Sequence, residues 1–128
     1  EKGLFDRILT YLRSEYPNEG CGILAGSNGD AAEAYPVKNE EASPVSYFMH
    51  PGEQLRIFRK LEREGKKLVG IYHSHPSSEA YPSAKDAALA AYEDVFHLIV
   101  SFAGNETRAR AFWIREGKIE EDKIEWRG

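Results

Sequence analysis

Residues 68–86 read LVGIYHSHPSSEAYPSAKD, which joins a continuous apolar run, two histidines one residue apart and, seven residues later, a Ser-x-x-Asp pattern. The apolar run at 68–72 predicts a strand that is buried on both faces of a sheet. Because side chains at i and i+2 of a strand point the same way, His73 and His75 would present two imidazoles on one face at the strand's end. With the carboxylate of Asp86 they form a three-ligand set for zinc that leaves a fourth position open, the arrangement of a catalytic site.

Ser83 and Asp86 also fit a simpler interpretation, a helix N-cap followed by an acidic residue at the third helical position. A capping box needs no metal, and for Ser-x-x-Asp alone the cap is the better interpretation. The two histidines alone fit metal ligation and an ordinary polar loop equally well. The combination favours a metal site, because the cap would hold Asp86 in the first turn of a helix that starts just after the histidine loop. Capping and ligation are compatible with each other.

On both sides of this stretch the sequence predicts helices mixed with strands. The predicted helices cover about residues 3–15, 51–64 and 83–92, where apolar or small residues recur three or four apart. The predicted strands cover about residues 19–26, 32–37, 45–48, 68–72, 96–102 and 108–115, with one more short strand after Gly117. This mixture is typical of an α/β or α+β domain, and 128 residues suit one domain over residues 1–128.

The second helix has its own start and stop signals. Pro51 suits the first helical position, where its missing N–H is not needed, and Gly65 suits the position just after the last turn. Leu55, Phe58 and Leu61 are the predicted buried stripe of this helix. The segment at 45–48 before it is predicted as a short edge strand.

Composition excludes several classes of function. The chain is 41% hydrophobic and 30% charged, which is ordinary for a globular domain, and its net charge is −4. No basic stripe is visible, so no nucleic-acid partner is predicted. No apolar run approaches the roughly 18 residues that span a bilayer and no signal-peptide pattern is visible, so no membrane partner is predicted. The single cysteine, Cys21, rules out an intrachain disulfide and fits a reducing cytoplasm.

The motif resembles that of the JAMM metalloprotease family, also called the MPN+ domain. The family pattern is an upstream Glu, then His-x-His, seven residues and Ser-x-x-Asp. His73, His75, Ser83 and Asp86 match it without gaps, and Glu19 opens a run, EGCGILAG, that is similar to the family's first strand. The resemblance extends from the first helix to the strand near Trp113. It implies a central mixed sheet flanked by helices, a fold related to that of cytidine deaminases.

The resemblance implies a mechanism for these residues. One zinc ion would be held by His73, His75 and Asp86, and zinc lowers the pKa of a bound water to about 7. Glu19 would accept the water's proton and later deliver it to the leaving amine, as general base and then general acid. The Ser83 hydroxyl would donate a hydrogen bond to the developing oxyanion.

A narrower resemblance points to the prokaryotic single-domain members, which process ubiquitin-like or sulfur-carrier proteins that end in Gly-Gly. The narrower resemblance rests on residues 47–49, 51, 53–54 and 70–75, while 79–83 resemble the branch that releases cysteine from a sulfur-carrier protein. His50 departs from the pattern, which has Asp there. An extended substrate tail could add to the predicted edge strand at 45–48, with Phe48 and Met49 lining a pocket. Burial in the core is an equally good interpretation for Phe48.

Two further classes of function compete with this one. A catalytically silent interaction module of the same fold would lack the metal ligands, and here all five motif positions are present. A zinc nucleoside deaminase requires a Pro-Cys-x-x-Cys pattern, which one cysteine cannot supply. Cys21 itself has two interpretations, an inhibitory metal ligand and a small buried core residue, and the second is favoured.

Overall fold

The computed structural model describes residues 2–27, 30–88 and 94–124. Its helices are α1 Lys2–Glu15, α2 Pro51–Glu64 and α3 Ala84–Ala88. Its strands are β1 Cys21–Ser27, β2 Asp30–Val37, β3 Lys67–His75, β4 Phe96–Ser101, β5 Arg108–Arg115 and β6 Lys118–Asp122. They form one six-stranded sheet in the order β2-β1-β3-β4-β5-β6. Only the β3–β4 pair is parallel among these strands, so the sheet is mixed and the fold is α+β, as predicted.

The central strands are buried on both faces, which explains the apolar run at 68–72. On one face Ile23 and Ile71 pack against Ile57 and Leu61 of α2. On the other face Tyr72 packs with Leu4, Ile8 and Leu12 of α1, and Leu24 joins them from β1. Alternate side chains of β1 and β3 therefore enter two different cores, and His73 and His75 share the α2 face with Ile71. None of the helices in the described part of the chain is long and apolar enough to span a membrane.

The bounds of α2 are confirmed, but its predicted buried stripe is partly wrong. Gly65 ends the helix in the left-handed conformation, with φ of 68°. Ile57 and Leu61 are buried, Phe58 packs partly against the same core, and Leu55 is half exposed. Two residues along a helix are about 200° apart around its axis, so Leu55 points nearly opposite to Ile57.

The predicted edge strand at 45–48 is wrong. These residues lie in the loop that connects β2 to α2, and only Asn39 and Met49 form an isolated bridge there. The loop is held by the Asn39 side chain, whose Oδ1 accepts hydrogen bonds at 3.0 Å from both Glu41 N and Phe48 N. A side-chain amide thus replaces the ladder that a strand would need.

Two other predictions fall partly outside the described residues. The third helix is described over Ala84–Ala88, and the remainder of its predicted span, 89–92, lies outside. Residues 28 and 29 of the predicted first hairpin turn lie outside as well, although the strands on either side pair antiparallel as expected. The β4–β5 pair and the last strand, β6, are confirmed.

Candidate metal centre

Three ligand atoms meet at the end of β3, on the sheet face that α2 covers. The Nε2 atoms of His73 and His75 are 3.1 Å apart. Asp86 Oδ2 lies 3.2 Å from the first and 3.0 Å from the second. Both histidines are buried and Asp86 is partly buried. The predicted ligand residues are therefore brought together as a nearly equilateral triangle.

The chemistry of these three atoms fits a metal ion. His75 Nδ1 lies 2.8 Å from the carbonyl oxygen of Glu79, which can only accept, so Nδ1 carries the hydrogen. In the neutral ring, Nε2 then presents a lone pair toward His73 and the carboxylate of Asp86. In the His73 tautomer that carries its hydrogen on Nδ1, a third acceptor converges on the same point, and such acceptors repel each other unless a cation lies between them. A tetrahedral zinc with ligands at 2.0–2.1 Å would separate them by about 3.3 Å, close to the observed triangle.

Asp86 makes the predicted capping contacts and also lies where a metal ligand would be needed. Its Oδ2 accepts a hydrogen bond from Ser83 N at 2.9 Å, while Asp86 N donates to Ser83 Oγ at 3.0 Å. This is the reciprocal capping box, and the same carboxylate oxygen also faces the histidines. Burial opposes ionisation of Asp86, but the contacts with His73 and His75 hold its pKa well below the usual range. The cap thus delivers an ionised carboxylate to the triangle.

The pKa values of the two histidines are shifted in opposite directions, and different contacts hold the two rings. Burial lowers the pKa of His73, and its ring stacks on Tyr47, with ring centres 4.4 Å apart. For His75, burial opposes protonation, but the hydrogen bonds with Asp86 and with the Glu79 carbonyl raise its pKa overall. A cation shared by the three acceptors would take the place of that proton.

Glu19 lies beside the triangle in the position expected of a base. All four ligand-type groups, Glu19 included, lie within 4.8 Å of one another. Its carboxylate is buried, and Oε1 has no hydrogen-bond partner among the described residues. Burial raises the pKa of Glu19 to about 7, although nearby His75 works against that rise. A carboxylate with a pKa near neutrality can both take and return a proton at working pH.

The positions of the other predicted site residues fit their predicted roles to different degrees. Ser83 Oγ accepts from Asp86 N, which leaves its hydroxyl hydrogen available to a substrate. Phe48 is half exposed, so a role in substrate contact stays a prediction. The pocket prediction for Met49 does not fit its position, because Met49 is buried in the core under α2. His50, which departs from the family pattern, is the N-cap of α2, and its Nδ1 accepts a hydrogen bond from Glu53 N.

Cys21 is a buried core residue in the structure. Its Sγ lies 3.3 Å from the Val37 carbonyl, and it belongs to the core under α2. It pairs across the strands with His73, yet it is not among the ligand groups that converge in the described part of the chain. The interpretation as a small core residue is therefore favoured over that of an inhibitory ligand.

We expect the Cys21 thiol to resist alkylation in the native protein. Burial raises the pKa of Cys21 to about 12, so at pH 8 the reactive thiolate is scarce as well as inaccessible. Mass spectrometry after iodoacetamide treatment at pH 8 should show no adduct on folded protein and one adduct in denaturant. Rapid labelling of the folded protein would contradict this burial and reopen the ligand interpretation.

Three contributors to the site were missed by the reasoning from sequence. Tyr47 stacks on His73, Asn39 holds the backbone of Glu19, and Ser74 lies between the two histidines. Ser74 was visible as the middle residue of His-x-His, but its side chain points to the opposite face, so nothing local indicated its partner. Asn39 was visible only as part of a polar loop.

Comparisons with known proteins agree with this geometry. Residues 1–115 match the family described as prokaryotic homologs of the JAB domain. The chain is 36% identical over 124 residues to the CysO-cysteine peptidase of Mycobacterium tuberculosis, covering 94% of this chain and 85% of that protein. It is 38% identical over 109 residues to a desampylase of Haloferax volcanii, covering 80% and 78%. A Thermus thermophilus relative described as "Probable TtuB-protein conjugate cleaving protease" is 36% identical over 118 residues, covering 91% and 76%.

Solved structures show the same fold. A solution structure of a Desulfitobacterium hafniense protein superposes with a TM-score of 0.86 at 34% identity, covering 96% of this chain and 88% of that one. A JAB1/MPN domain protein of Archaeoglobus fulgidus gives a TM-score of 0.63 at 27% identity, covering 96% and 93%. A structure described as a JAMM metalloprotease-like zinc site of the proteasome and signalosome gives 0.61 at 26%, covering 96% and 90%. The chain therefore belongs to the JAMM/MPN metalloproteases, in the family of prokaryotic homologs of the JAB domain.

Proposed function

We propose that this protein is a zinc-dependent metallopeptidase that cleaves after the C-terminal Gly-Gly of a ubiquitin-like or sulfur-carrier protein. The observation that carries the proposal is the triangle of three ligand-type atoms beside a buried carboxylate whose Oε1 has no hydrogen-bond partner in the part of the chain that the structure describes. A purely structural domain has no reason to bury such a set, because unpaired polar groups are destabilising. A metal-dependent hydrolase can use both parts, the metal to make a bound water more acidic and the carboxylate to accept its proton.

The roles of the residues follow from their positions. His73, His75 and Asp86 would hold one zinc ion, which when bound supplies Lewis acidity and a more acidic water. Glu19 takes a proton from the attacking water while the water oxygen bonds to the scissile carbonyl carbon. The same carboxyl group then gives that proton to the nitrogen as the carbon–nitrogen bond breaks, so a free carboxylate and a free amine result. Ser83 donates a hydrogen bond to the carbonyl oxygen while negative charge develops there.

The substrate class is proposed from the named relatives. One of them is described as a peptidase on CysO-cysteine, and the others as a desampylase and a protease on TtuB conjugates. The names of the first and third state the substrate, CysO-cysteine and TtuB-protein conjugates, which supports a carrier or modifier protein as the substrate of this chain. For this chain the similarity at residues 79–83 favours a cysteine adduct, whereas the broader class also includes linear peptides and lysine isopeptides. We also propose a cytoplasmic location, on the basis of the single cysteine alone.

The side chain of Phe48 is the proposed contact for the carrier protein. It lies half exposed in the loop that carries Tyr47, and Tyr47 stacks directly on His73. A large apolar side chain so close to the candidate site is available to a partner, unlike the buried neighbour Met49. No added strand is needed for this contact.

The proposal predicts a strong dependence on the residue before the cleaved bond. Three substrates should be compared: a linear extension, a lysine isopeptide and a single C-terminal cysteine adduct, each on a carrier ending in Gly-Gly. Each substrate should also be made with the last Gly of the carrier changed to Val. Because glycine has no Cβ, it lets the scissile backbone lie close to the ligand triangle, so the Val substrates should be cleaved about tenfold more slowly or worse. Rates can be followed by mass spectrometry of the released carrier.

The outcomes separate the possible assignments. Cleavage of the cysteine adduct alone would place the enzyme in cysteine release and not in protein deconjugation. Equal rates for the Gly and Val substrates would contradict the close approach of the backbone. Failure to cleave any of the three, together with a zinc content near zero, would favour the catalytically silent module instead.

A further inference from the structure

The peptide bond that follows Glu19 is held by side chains on both sides. The carbonyl oxygen of Glu19 accepts a hydrogen bond from Asn39 Nδ2 at 3.0 Å. The N–H of Gly20, which belongs to the same peptide plane, donates to Ser74 Oγ at 2.9 Å. Both side chains are buried, with 5% of Asn39 and none of Ser74 exposed. Two side chains thus fix the peptide that carries the proposed base.

These side-chain hydrogen bonds hold the backbone of Glu19 at a position where regular strand pairing has not yet begun. The β1 ladder begins at Cys21, so Glu19 lies just before it. The link to β3 is extended by one residue, because Ser74 N also donates to Gly20 O at 3.0 Å. On the other side, Glu19 N donates to the Ser43 carbonyl at 2.8 Å, within the loop that Asn39 holds. Asn39 and Ser74 therefore connect the backbone of Glu19 to the loop and to the histidine strand.

Asn39 has no freedom to turn in this position. Its Nδ2 donates to the Glu19 and Ser46 carbonyls, and its Oδ1 accepts from the N–H groups of Glu41 and Phe48. These four bonds use the full hydrogen-bonding capacity of a side-chain amide. They also fix which end is oxygen, because carbonyls only accept and N–H groups only donate. A buried and fully satisfied amide is a rigid anchor.

We infer that Asn39 and Ser74 are positioning residues for the base, an inference that rests on the proposed function of Glu19. Because Oε1 of Glu19 has no hydrogen-bond partner among the described residues, the carboxylate is located chiefly by its own backbone. Proton transfer needs a heavy-atom distance of about 2.6–3.2 Å, and a displacement near 1 Å can slow a reaction about 100-fold. Fixing the peptide of Glu19 therefore fixes the geometry of proton transfer.

The test changes each anchor separately. Asn39→Asp keeps the shape but replaces the donor group by an oxygen that faces two carbonyls, and Ser74→Ala removes the acceptor of the Gly20 N–H. For both variants we expect kcat to fall about 10–100-fold, while KM and zinc content change less than about twofold. The matched controls are Asn105→Asp in the exposed turn after β4 and Ser77→Ala in the exposed loop after His75, which should leave kcat unchanged.

A double-mutant cycle separates positioning from a merely structural role. In a Glu19→Gln background the anchors have no proton-transferring group to place, so Asn39→Asp and Ser74→Ala should slow the residual reaction by less than about twofold. The same fold loss in both backgrounds would overturn the inference, as would a raised KM with unchanged kcat. If Asn39→Asp does not fold, Ser74→Ala supplies the same comparison. Unimpaired hydrolysis by Glu19→Gln itself would instead overturn the proposed function.

Discussion

Glu19→Gln is expected to keep the bound metal and to slow hydrolysis by about 10²–10⁴-fold, the usual contribution of a general acid–base group. Glutamine keeps the shape of the side chain but cannot take up the water's proton. The ligand triangle does not include Glu19, because its three edges join only His73, His75 and Asp86. Zinc content and hydrolysis rate should be measured on the same preparation, with a carrier–cysteine adduct as substrate.

The matched control is Glu62→Gln, which makes the same change at an exposed position on α2 and should leave both quantities unaltered. Loss of zinc from Glu19→Gln would identify this carboxylate as a ligand, and the proposed division between base and ligands would be wrong. Retention of full activity would show that another group moves the proton.

His75→Ala is expected to remove the metal and, with it, nearly all activity. It takes away one of the three proposed ligands, and even residues that only support a ligand contribute about 10–100-fold in metal affinity. The affinity loss should therefore exceed about 100-fold. We expect one zinc per wild-type chain by elemental analysis and almost none in the variant.

Thermal unfolding gives a second measure of the same change. Metal present at about 100 times its Kd stabilises a protein by about 2.7 kcal/mol, so a chelator should lower the Tm of wild type but not that of His75→Ala. His50→Ala is the matched control, because it removes a histidine that caps α2 and lies outside the ligand group. It should lose about 1 kcal/mol of stability and keep its zinc. Full activity of wild type after exhaustive chelation would contradict the metal assignment.

Prediction from the sequence succeeded where the signal is local. The spacing of His73 and His75 by two residues reports which way a strand's side chains point, and the Ser83–Asp86 spacing reports the first turn of a helix. Pro51 and Gly65 mark the ends of α2 for reasons that lie within one or two residues of each. Such signals depend on backbone geometry that is set by residues close to each other in the sequence.

The same reasoning failed where burial depends on the partner element. The stripe through Leu55 is a valid apolar spacing along the chain, yet the face of α2 that meets the sheet is centred on Ile57 and Leu61. The loop at 45–48 has strand-like residues, but no strand pairs with it in the described sheet, and Asn39 bonds its backbone instead. Propensity cannot indicate which of two competing hydrogen-bond partners is nearer.

The sequence by itself determined the spacing of the predicted ligands, the cap, the bounds of α2 and, through the motif, the family. Only the tertiary structure brought Glu19 beside His73, because the antiparallel register of β1 on β3 sets Cys21 opposite His73 across more than 50 residues of chain. The anchoring of Glu19 by Asn39 and Ser74 was likewise decided by that register and by the loop after β2. Local periodicity describes how each element presents its side chains. The distance between side chains of different elements depends on how the buried faces pack, which no single segment encodes.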